Sequence, residues 1–236
     1  MRSVFFLLFS LVAIPAWADP VVCNAGVVFA DSNGNGNRDA GEPGLKGVKV
    51  SDGVQIAITA GDGRYALPVA EGRTVFVIKP AGYRFPSRAD GMPDFWRHLR
   101  THAGPSLKYG GIPPQPAACH DFALVPQARP TDEALDVLVF SDPQTKSLAD
   151  VGYYEKDVIA SVLGGQAHAS ADVGISLGDI THDDLTLYPA LNRATAKLGV
   201  PWLHVAGNHD LDFDAPRDED SLLTFRNTYG PDTFAW

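Results

Sequence analysis

Residues 135–144 read Leu-Asp-Val-Leu-Val-Phe-Ser-Asp-Pro-Gln, an apolar run from Leu135 to Phe140 that ends in a short polar cluster. A run of this kind is expected of a strand buried on both faces of a sheet. The arrangement recurs twice downstream. Ala171–Leu177 leads into Gly178-Asp179-Ile180-Thr181-His182-Asp183, and Pro201–Ala206 leads into Gly207-Asn208-His209-Asp210. Helical spacing fills the intervals. Tyr154, Val158, Ile159 and Val162 share one face of a helix over Tyr153–Leu163, and Leu187, Leu191, Ala194 and Leu198 mark a second. Leu222, Leu223 and Phe225 mark a third, opening near Ser221. Strands alternating with helices predict a parallel α/β sheet with right-handed crossovers over residues 135–236.

In open α/β sheets, ligands sit beyond the carboxyl ends of the strands. The three polar clusters are therefore expected to converge. Their chemistry coheres: two carboxylates (Asp142, Asp179), two side-chain amides (Gln144, Asn208) and a histidine (His209) are metal ligands or acid–base groups. No G-x-S-x-G elbow and no P-loop occurs. Asp142 has a plainer reading as a helix cap, which Pro143 and the strand-end position disfavour. His182 reads equally well as a partner behind the site or as a loop residue, and it is not assigned as a ligand. His204, inside the third strand, reads as a packed core histidine. His98, His102, His120 and His168 show no usable ligand spacing.

Upstream the texture changes. Pro126-Gln127-Ala128-Arg129-Pro130-Thr131 has two prolines and no apolar period, so residues 126–134 read as a linker. Residues 19–125 read as an all-β, immunoglobulin-like sandwich, with short strands at Val48–Val50, Gln55–Thr59, Tyr65–Val69 and Thr74–Ile78. Asp52-Gly53 and Asp62-Gly63 supply hairpin turns between them. Arg84–Pro116 is irregular and rich in Pro, Gly and basic residues, so a long loop over one end is expected. Its arginines, Arg84, Arg88, Arg97 and Arg100, read equally as solvated or as within reach of a phosphate.

Residues 1–18 read as a secretory signal: Arg2 precedes the apolar run Val4–Ile14, and Ala16-Trp17-Ala18 gives the small-x-small pattern of a cleavage site. The run is shorter than the roughly 20 residues that cross a bilayer. No later segment is long and apolar enough, so no stable membrane span is expected and the mature chain is placed in the periplasm or outside the cell. The formal charge is −9, with no run of Lys or Arg, which argues against nucleic acid as a partner. The acidic density between Asp210 and Asp220 reads as a solvated loop or as surroundings that help hold cations. In an oxidising compartment the two cysteines, Cys23 and Cys119, are expected to pair, with two separate buried thiols as the alternative. A bridge would close a loop of about a hundred residues, worth up to about 4–5 kcal/mol on a chain-entropy basis.

The first unit carries its own motif. Asp31-Ser32-Asn33-Gly34-Asn35-Gly36-Asn37-Arg38-Asp39-Ala40-Gly41-Glu42 fits the calcium-loop template. Oxygen ligands would come from Asp31, Asn33, Asn35, the Asn37 carbonyl, Asp39 and Glu42, with Gly36 at the sharp turn. The flanks are not those of an EF-hand, because Val27–Phe29 reads as a strand and Pro43-Gly44 follows the loop. The alternative is an Asn-Gly-rich turn without metal.

The ordered trio of strand-end clusters resembles the calcineurin-like metallophosphoesterases, whose signature is Asp-x-His, then Gly-Asp, then Gly-Asn-His-Asp/Glu. Gly207-Asn208-His209-Asp210 matches the last element in full. The resemblance implies that Asp142 and Gln144 bind a first metal, that Asp179 bridges two and that Asn208 binds the second. His209 would stabilise the leaving group or the phosphoryl oxygens. The reaction implied is hydrolysis of a phosphomonoester or phosphodiester by a hydroxide bridging two divalent ions. Gln144 stands where most members have histidine, and an oxygen ligand there favours manganese over zinc, with iron a further alternative. The family also takes histidines from later strands, and the sequence ends at Trp236 before any such loop, so the catalytic domain is expected to be C-terminally incomplete. Tyr229-Gly230-Pro231, with Phe234 and Trp236, reads as the run into a further strand. The first unit in turn resembles calcium-binding β-sandwich repeats of bacterial surface proteins and the N-terminal domain of some exported calcineurin-like phosphoesterases. Two other readings stand beside the phosphoesterase. One is a calcium-stabilised binding module with an incomplete catalytic remnant. The other is an aspartyl-phosphate phosphatase using Asp142, which Gln144 disfavours because it cannot serve as that class's acid. The natural substrate and the oligomeric state stay open.

Overall fold

The computed structural model describes residues 21–116, 120–128 and 134–236. The expected signal at 1–18, Cys119, the Cys23 side chain and residues 129–133 of the expected linker lie outside the described residues, and with them the expected disulfide. The strands of the first unit are β1 (Val21–Ala30), β2 (Lys49–Ser51), β3 (Ile56–Ile58), β4 (Arg64–Val69), β5 (Arg73–Ile78), β6 (Tyr83–Arg84), β7 (Trp96–Leu99) and β8 (Phe122–Pro126). They form two four-stranded sheets, ordered β4-β1-β8-β6 and β3-β2-β5-β7. All pairings are antiparallel except β1 with β8. The sheets share one core: Val28, Leu67 and Phe122 from the first meet Val50, Val77 and Leu99 from the second. The Asp52-Gly53 turn forms between β2 and β3, where Gly53 sits at φ 86° and Asp52 Oδ1 accepts the amides of Val54 and Gln55 at 3.0 and 2.8 Å.

The segment expected to be one long loop, Arg84–Pro116, instead contains β7, which pairs with β5 through Trp96 opposite Phe76 and Leu99 opposite Arg73. Its polar pattern, Trp-Arg-His-Leu, hides the strand, because His98 is buried by contacts from distant segments. Arg88 and Arg97 are bound to Asp90 and Asp94, so neither is a free phosphate-seeking cation.

The second unit is a three-stranded parallel sheet in the order β11-β10-β9, made of β9 (Val137–Phe140), β10 (Val173–Leu177) and β11 (Trp202–Val205). The chain is thus mixed α/β, with two β-sheets ahead of a parallel one. Between β9 and β10 run α1 (Leu148–Tyr153), a π-helical stretch over Tyr154–Ile159 and α2 (Ala160–Gly164). α1 opens on Ser147, whose hydroxyl accepts the Asp150 amide at 3.3 Å. The π-helical stretch adds a residue to the turn. It turns Tyr154 and Ile159 inward but leaves Val158 40 % exposed, against the regular helical face expected. α3 (Tyr188–Thr195) lies between β10 and β11, and α4 (Leu223–Tyr229) follows β11. Trp202, Tyr188, Leu191, Ile159 and Phe225 form the core on this side of the sheet.

β9 is not buried on both faces. Leu138 and Phe140 pack against the helices, whereas Val137 and Val139 face outward and are 43 % and 54 % exposed. Their face is covered only in part: Val173 and Leu203 join the core of the first unit, while Leu177 and Val205 stay exposed. Phe234 and Trp236 form no further strand. They pack on Phe85 and Phe95 of the first unit, with Phe85 and Trp236 ring centres 5.2 Å apart. No helix among the described residues is long and apolar enough to cross a membrane.

Two histidines are sealed in uncharged form. His98 lies between the units, where the Arg226 carbonyl can only accept, so Nε2–H donates to it at 3.1 Å and the Thr74 hydroxyl donates to Nδ1 at 2.8 Å. Burial pulls its pKa down to about 4. His204 stacks on Tyr229 with ring centres 4.0 Å apart and has no hydrogen-bond partner on either nitrogen among the described residues. Burial pulls its pKa down to about 3. Both folded-state values lie below the ordinary histidine value, so the unfolded chain binds protons first as pH falls. Stability is full above about pH 6.5 and declines from there toward pH 3–4. The unfolding midpoint measured across that range is expected to drop, and His204→Phe, which removes a buried unpartnered polar ring, is expected to flatten the drop and hold or raise the midpoint at neutral pH.

Candidate functional site

The three strand-end clusters meet, as their positions predict. The first is tied to the second through the backbone: Gln144 N donates to Asp179 O at 2.8 Å, His182 N donates to Thr145 O at 2.9 Å, and Thr145 and Thr181 form an isolated parallel bridge. The second is tied to the third through Asp179, whose Oδ1 accepts the His209 amide at 3.0 Å. Gly207 is required at this seam, because a Cβ there would stand 2.1 Å from Asp179 Oδ1.

Asp210 clamps the junction. Its carboxylate is fully buried and accepts the Gly207 amide at 2.8 Å, the Ile180 amide at 3.1 and 3.2 Å, and the Tyr188 hydroxyl at 2.9 Å. Burial raises its pKa, while those donors oppose the rise. Burial likewise drives the Tyr188 hydroxyl far above its ordinary range, with the neighbouring Asp210 charge adding to it. The tetrapeptide Gly207–Asp210 thus ends in a structural carboxylate, a role distinct from those assigned to the residues before it.

The backbone around the site is strained in a consistent way. Asp142, Gln144, Asp179 and Asp183 all sit at positive φ, at 47°, 41°, 48° and 67°. Such conformations cost about 1–3 kcal/mol each for residues with a Cβ and persist where the surroundings over-determine them. They are four of the five non-glycine residues at positive φ among the described residues, so the strain is concentrated here.

His209 is engaged through its ring. A carboxylate only accepts, so its Nδ1–H donates to Asp183 Oδ1, at 2.7 Å. This bond raises the His209 pKa, and the Asp183, Asp179 and Asp210 charges add to the effect. The His182 ring stacks on it at 4.4 Å between centres. His182, Asp183 and His209 form a group whose potential ligand atoms lie within 4.8 Å of one another. With Nδ1 of His209 already committed to Asp183, this trio reads better as an oriented imidazole than as a metal cage. Asp183 was missed from the sequence, which read His182 equally as a partner behind the site or as a loop residue. The only hint was the acidic run after Gly178-Asp179, which carries no geometry by itself.

Among the described residues the side chains of Gln144 and Asn208 make no protein hydrogen bond, and Asp142 has only a 3.4 Å contact from the Ser141 hydroxyl. Asn208 and Asp142 are exposed, and Asp179 and Gln144 are half-buried. Oxygen donors held on strained, cross-tied backbone yet unclaimed by protein partners fit a divalent cation. A groove of about 640 Å³ runs from Asp142 and Gln144 past Lys146 and Asp150 to Tyr153 and Asp157. It lies to one side of the Asp179–His209 junction.

In the first unit, the Asp31 carboxylate is also fully buried. It accepts the amides of Gly34, Asn35 and Gly36 at 2.7, 3.2 and 2.8 Å. Glu42 braces the other end by accepting the Ser32 and Asp39 amides at 2.8 and 3.0 Å. The Asn33 and Asn35 amide groups both donate to Asp39 Oδ2 at 2.8 Å, which lowers the Asp39 pKa.

Residues 32–108 match the family model described as the N terminal of Calcineurin-like phosphoesterase. The match spans about a third of the chain and falls on the first unit, opening within the Asn-Gly loop. That region is thus similar to the N-terminal region of calcineurin-like phosphoesterases. No curated protein matches the chain.

Asp210→Ala leaves two buried amides and a hydroxyl without their acceptor. At about 1–3 kcal/mol per orphaned group, urea denaturation is expected to show a loss of several kcal/mol. Asp210→Asn, which keeps one acceptor oxygen, is expected to lose less.

Proposed function

We propose that this chain carries the metal-binding face of a phosphoesterase that cleaves phosphomonoesters or phosphodiesters outside the cytoplasm. The observation that carries this reading is the junction at Asp179. Its main chain is tied to the Gln144 loop and its side chain to the His209 loop, which draws the loops that carry Asp142, Gln144, Asp179 and Asn208 to one end of the parallel sheet. A pair of divalent ions there would supply charge neutralisation for the phosphoryl oxygens and an acidified water. Asp142 and Gln144 would hold the first ion, Asn208 the second, and Asp179 both. The all-oxygen set favours manganese over zinc. His209, whose pKa the Asp183 bond raises, would in its protonated form offer Nε2–H to the leaving-group or phosphoryl oxygen. The groove beside Asp142 would receive the leaving group, and its mix of Lys146 with Asp150 and Asp157 suits a substrate of mixed charge.

Calcium in the loop of residues 31–42 is part of the same proposal. The Asp31 and Glu42 carboxylates are fixed by backbone amides and keep lone pairs for a cation. Asp39 would exchange the two asparagine amides for the ion as those side chains turn their carbonyl oxygens toward it. The ion would rigidify the edge of an immunoglobulin-like sandwich exported behind the leader at 1–18.

Hydrolysis of bis(p-nitrophenyl) phosphate and of its monoester with added manganese is the direct test. Turnover is expected to fall about a hundredfold in Asn208→Ala, and calorimetry is expected to show manganese binding weakened at least about tenfold in Asp179→Asn. Hydrolysis that survives both Asn208→Ala and chelation would refute a dinuclear centre. For calcium, the thermal midpoint is expected to rise at millimolar calcium and not to rise in Asp31→Ala. An unchanged wild-type midpoint rejects the assignment, since a ligand selective for the folded state must raise it.

A further inference from the structure

Residues 104–112 of the first unit cross onto the second and are anchored at several points. Leu107 and Ile112 pack on Leu223 at the start of α4. Gly111 N donates to Thr224 Oγ1 at 3.1 Å, and Tyr109 N lies 3.4 Å from an oxygen of the buried Asp212. Between these anchors the half-buried Tyr109 ring packs against the core of the second unit. Its hydroxyl donates to the main-chain carbonyl of Asp183 at 2.7 Å. Asp183 is held at φ 67°, a backbone state that a residue with a Cβ leaves readily unless its surroundings fix it. Asp183 is also the residue whose carboxylate accepts from His209.

We propose that Tyr109 is a positioning residue: the N-terminal β unit reaches across to lock the Asp183 main chain, and through it sets the orientation of the His209 imidazole. The two units are then a single functional site, one half of which is supplied by the domain ahead of the catalytic sheet. Lys108 completes the arrangement from outside, with its ammonium 4.8 Å from the Tyr109 ring centre. A side-chain hydrogen bond with Tyr109 and the Tyr109, Asp214 and Asp184 charges raise the Lys108 pKa. The positioning role stands on the hydrogen-bond chain alone. Its consequence for turnover rests on the phosphoesterase reading.

The test is the imidazole N–H signal of His209 in the full chain at one fixed pH, read by NMR in wild type, Tyr109→Phe, Asp183→Asn and Arg88→Gln. Wild type is expected to show a downfield Nδ1–H proton bonded to carboxylate, which Asp183→Asn removes. Tyr109→Phe is expected to weaken or abolish that proton while the fold is retained. Arg88→Gln loses a comparable contact between the units, the bond from Nη1 to Thr228 O at 3.1 Å, and is expected to leave the proton unchanged. A signal as strong in Tyr109→Phe as in wild type overturns the proposal, as does a wild type without it. In the phosphodiester assay, Tyr109→Phe is expected to lower kcat about tenfold with KM unchanged. If Tyr109→Phe and Asp183→Asn both lose the signal and neither loses turnover, positioning holds and the role given to His209 falls.

Discussion

The constraint on which the rest of the site depends is the buried carboxylate of Asp210. Three separate chain segments, the turn after β10, the turn after β11 and the first residue of α3, place donors on it and nowhere else. Without that acceptor, each would carry a buried unpaired donor. With it, the turn holding Asp179 and the turn holding Asn208 and His209 cannot drift apart. The close approach of Gly207 to Asp179 follows directly, since the clamp draws the two turns together until only hydrogen fits between them. The burial that makes the clamp costly also makes it strong, because a carboxylate away from water gains more from each donor than an exposed one does.

The strained residues make sense in the light of this clamp. Asp142, Gln144, Asp179 and Asp183 occupy left-handed backbone states that a chain does not choose for its own sake. Three of the four are tied through the main chain: Gln144 N donates to Asp179 O, and the Asp183 carbonyl accepts the Tyr109 hydroxyl. A left-handed turn at a strand end throws the side chain forward, beyond the sheet, in place of back along a helix. The strain therefore has a geometric product: Asp179 and Asp183 turn their carboxylates onto the His209 loop, while the Gln144 side chain has no protein partner among the described residues.

Much of this was legible in the sequence, for a definable reason. A parallel strand that ends in Gly-Asp or Gly-Asn-His-Asp announces its own turn, because the glycine supplies either the positive φ, as at Gly178, or the room for a neighbouring turn, as at Gly207, and the polar residue follows it. The helices were legible from their apolar period. The hairpin turn Asp52-Gly53 was legible from its glycine. What was not legible depends on partners far away in the chain. β7 carries Arg97 and His98 in its middle, and only the packing of α4 explains why a histidine is buried there. The outward face of β9 reads as core in sequence and is open in the structure, since apolar composition records what a face can bury and not what covers it. Asp183 shows nothing in sequence to separate it from its neighbour Asp184. Only the distance to His209 does so.

Sequence order alone makes the first unit an appendage ahead of the parallel sheet. Its contacts argue otherwise. It covers one end of the parallel sheet through Val173 and Leu203, receives Phe234 and Trp236 on its own aromatic cluster, and buries His98 against the end of α4. Those contacts fix the distance between the two units, and a fixed distance is the condition under which a strap such as residues 104–112 can deliver a hydroxyl to one chosen carbonyl. A flexible tether would place Tyr109 within reach of Asp183 only part of the time, and the entropy of ordering it would then oppose the bond. Rigid docking removes that cost in advance, so the first unit is better understood as the wall against which the loops holding Asp183 and His209 are set.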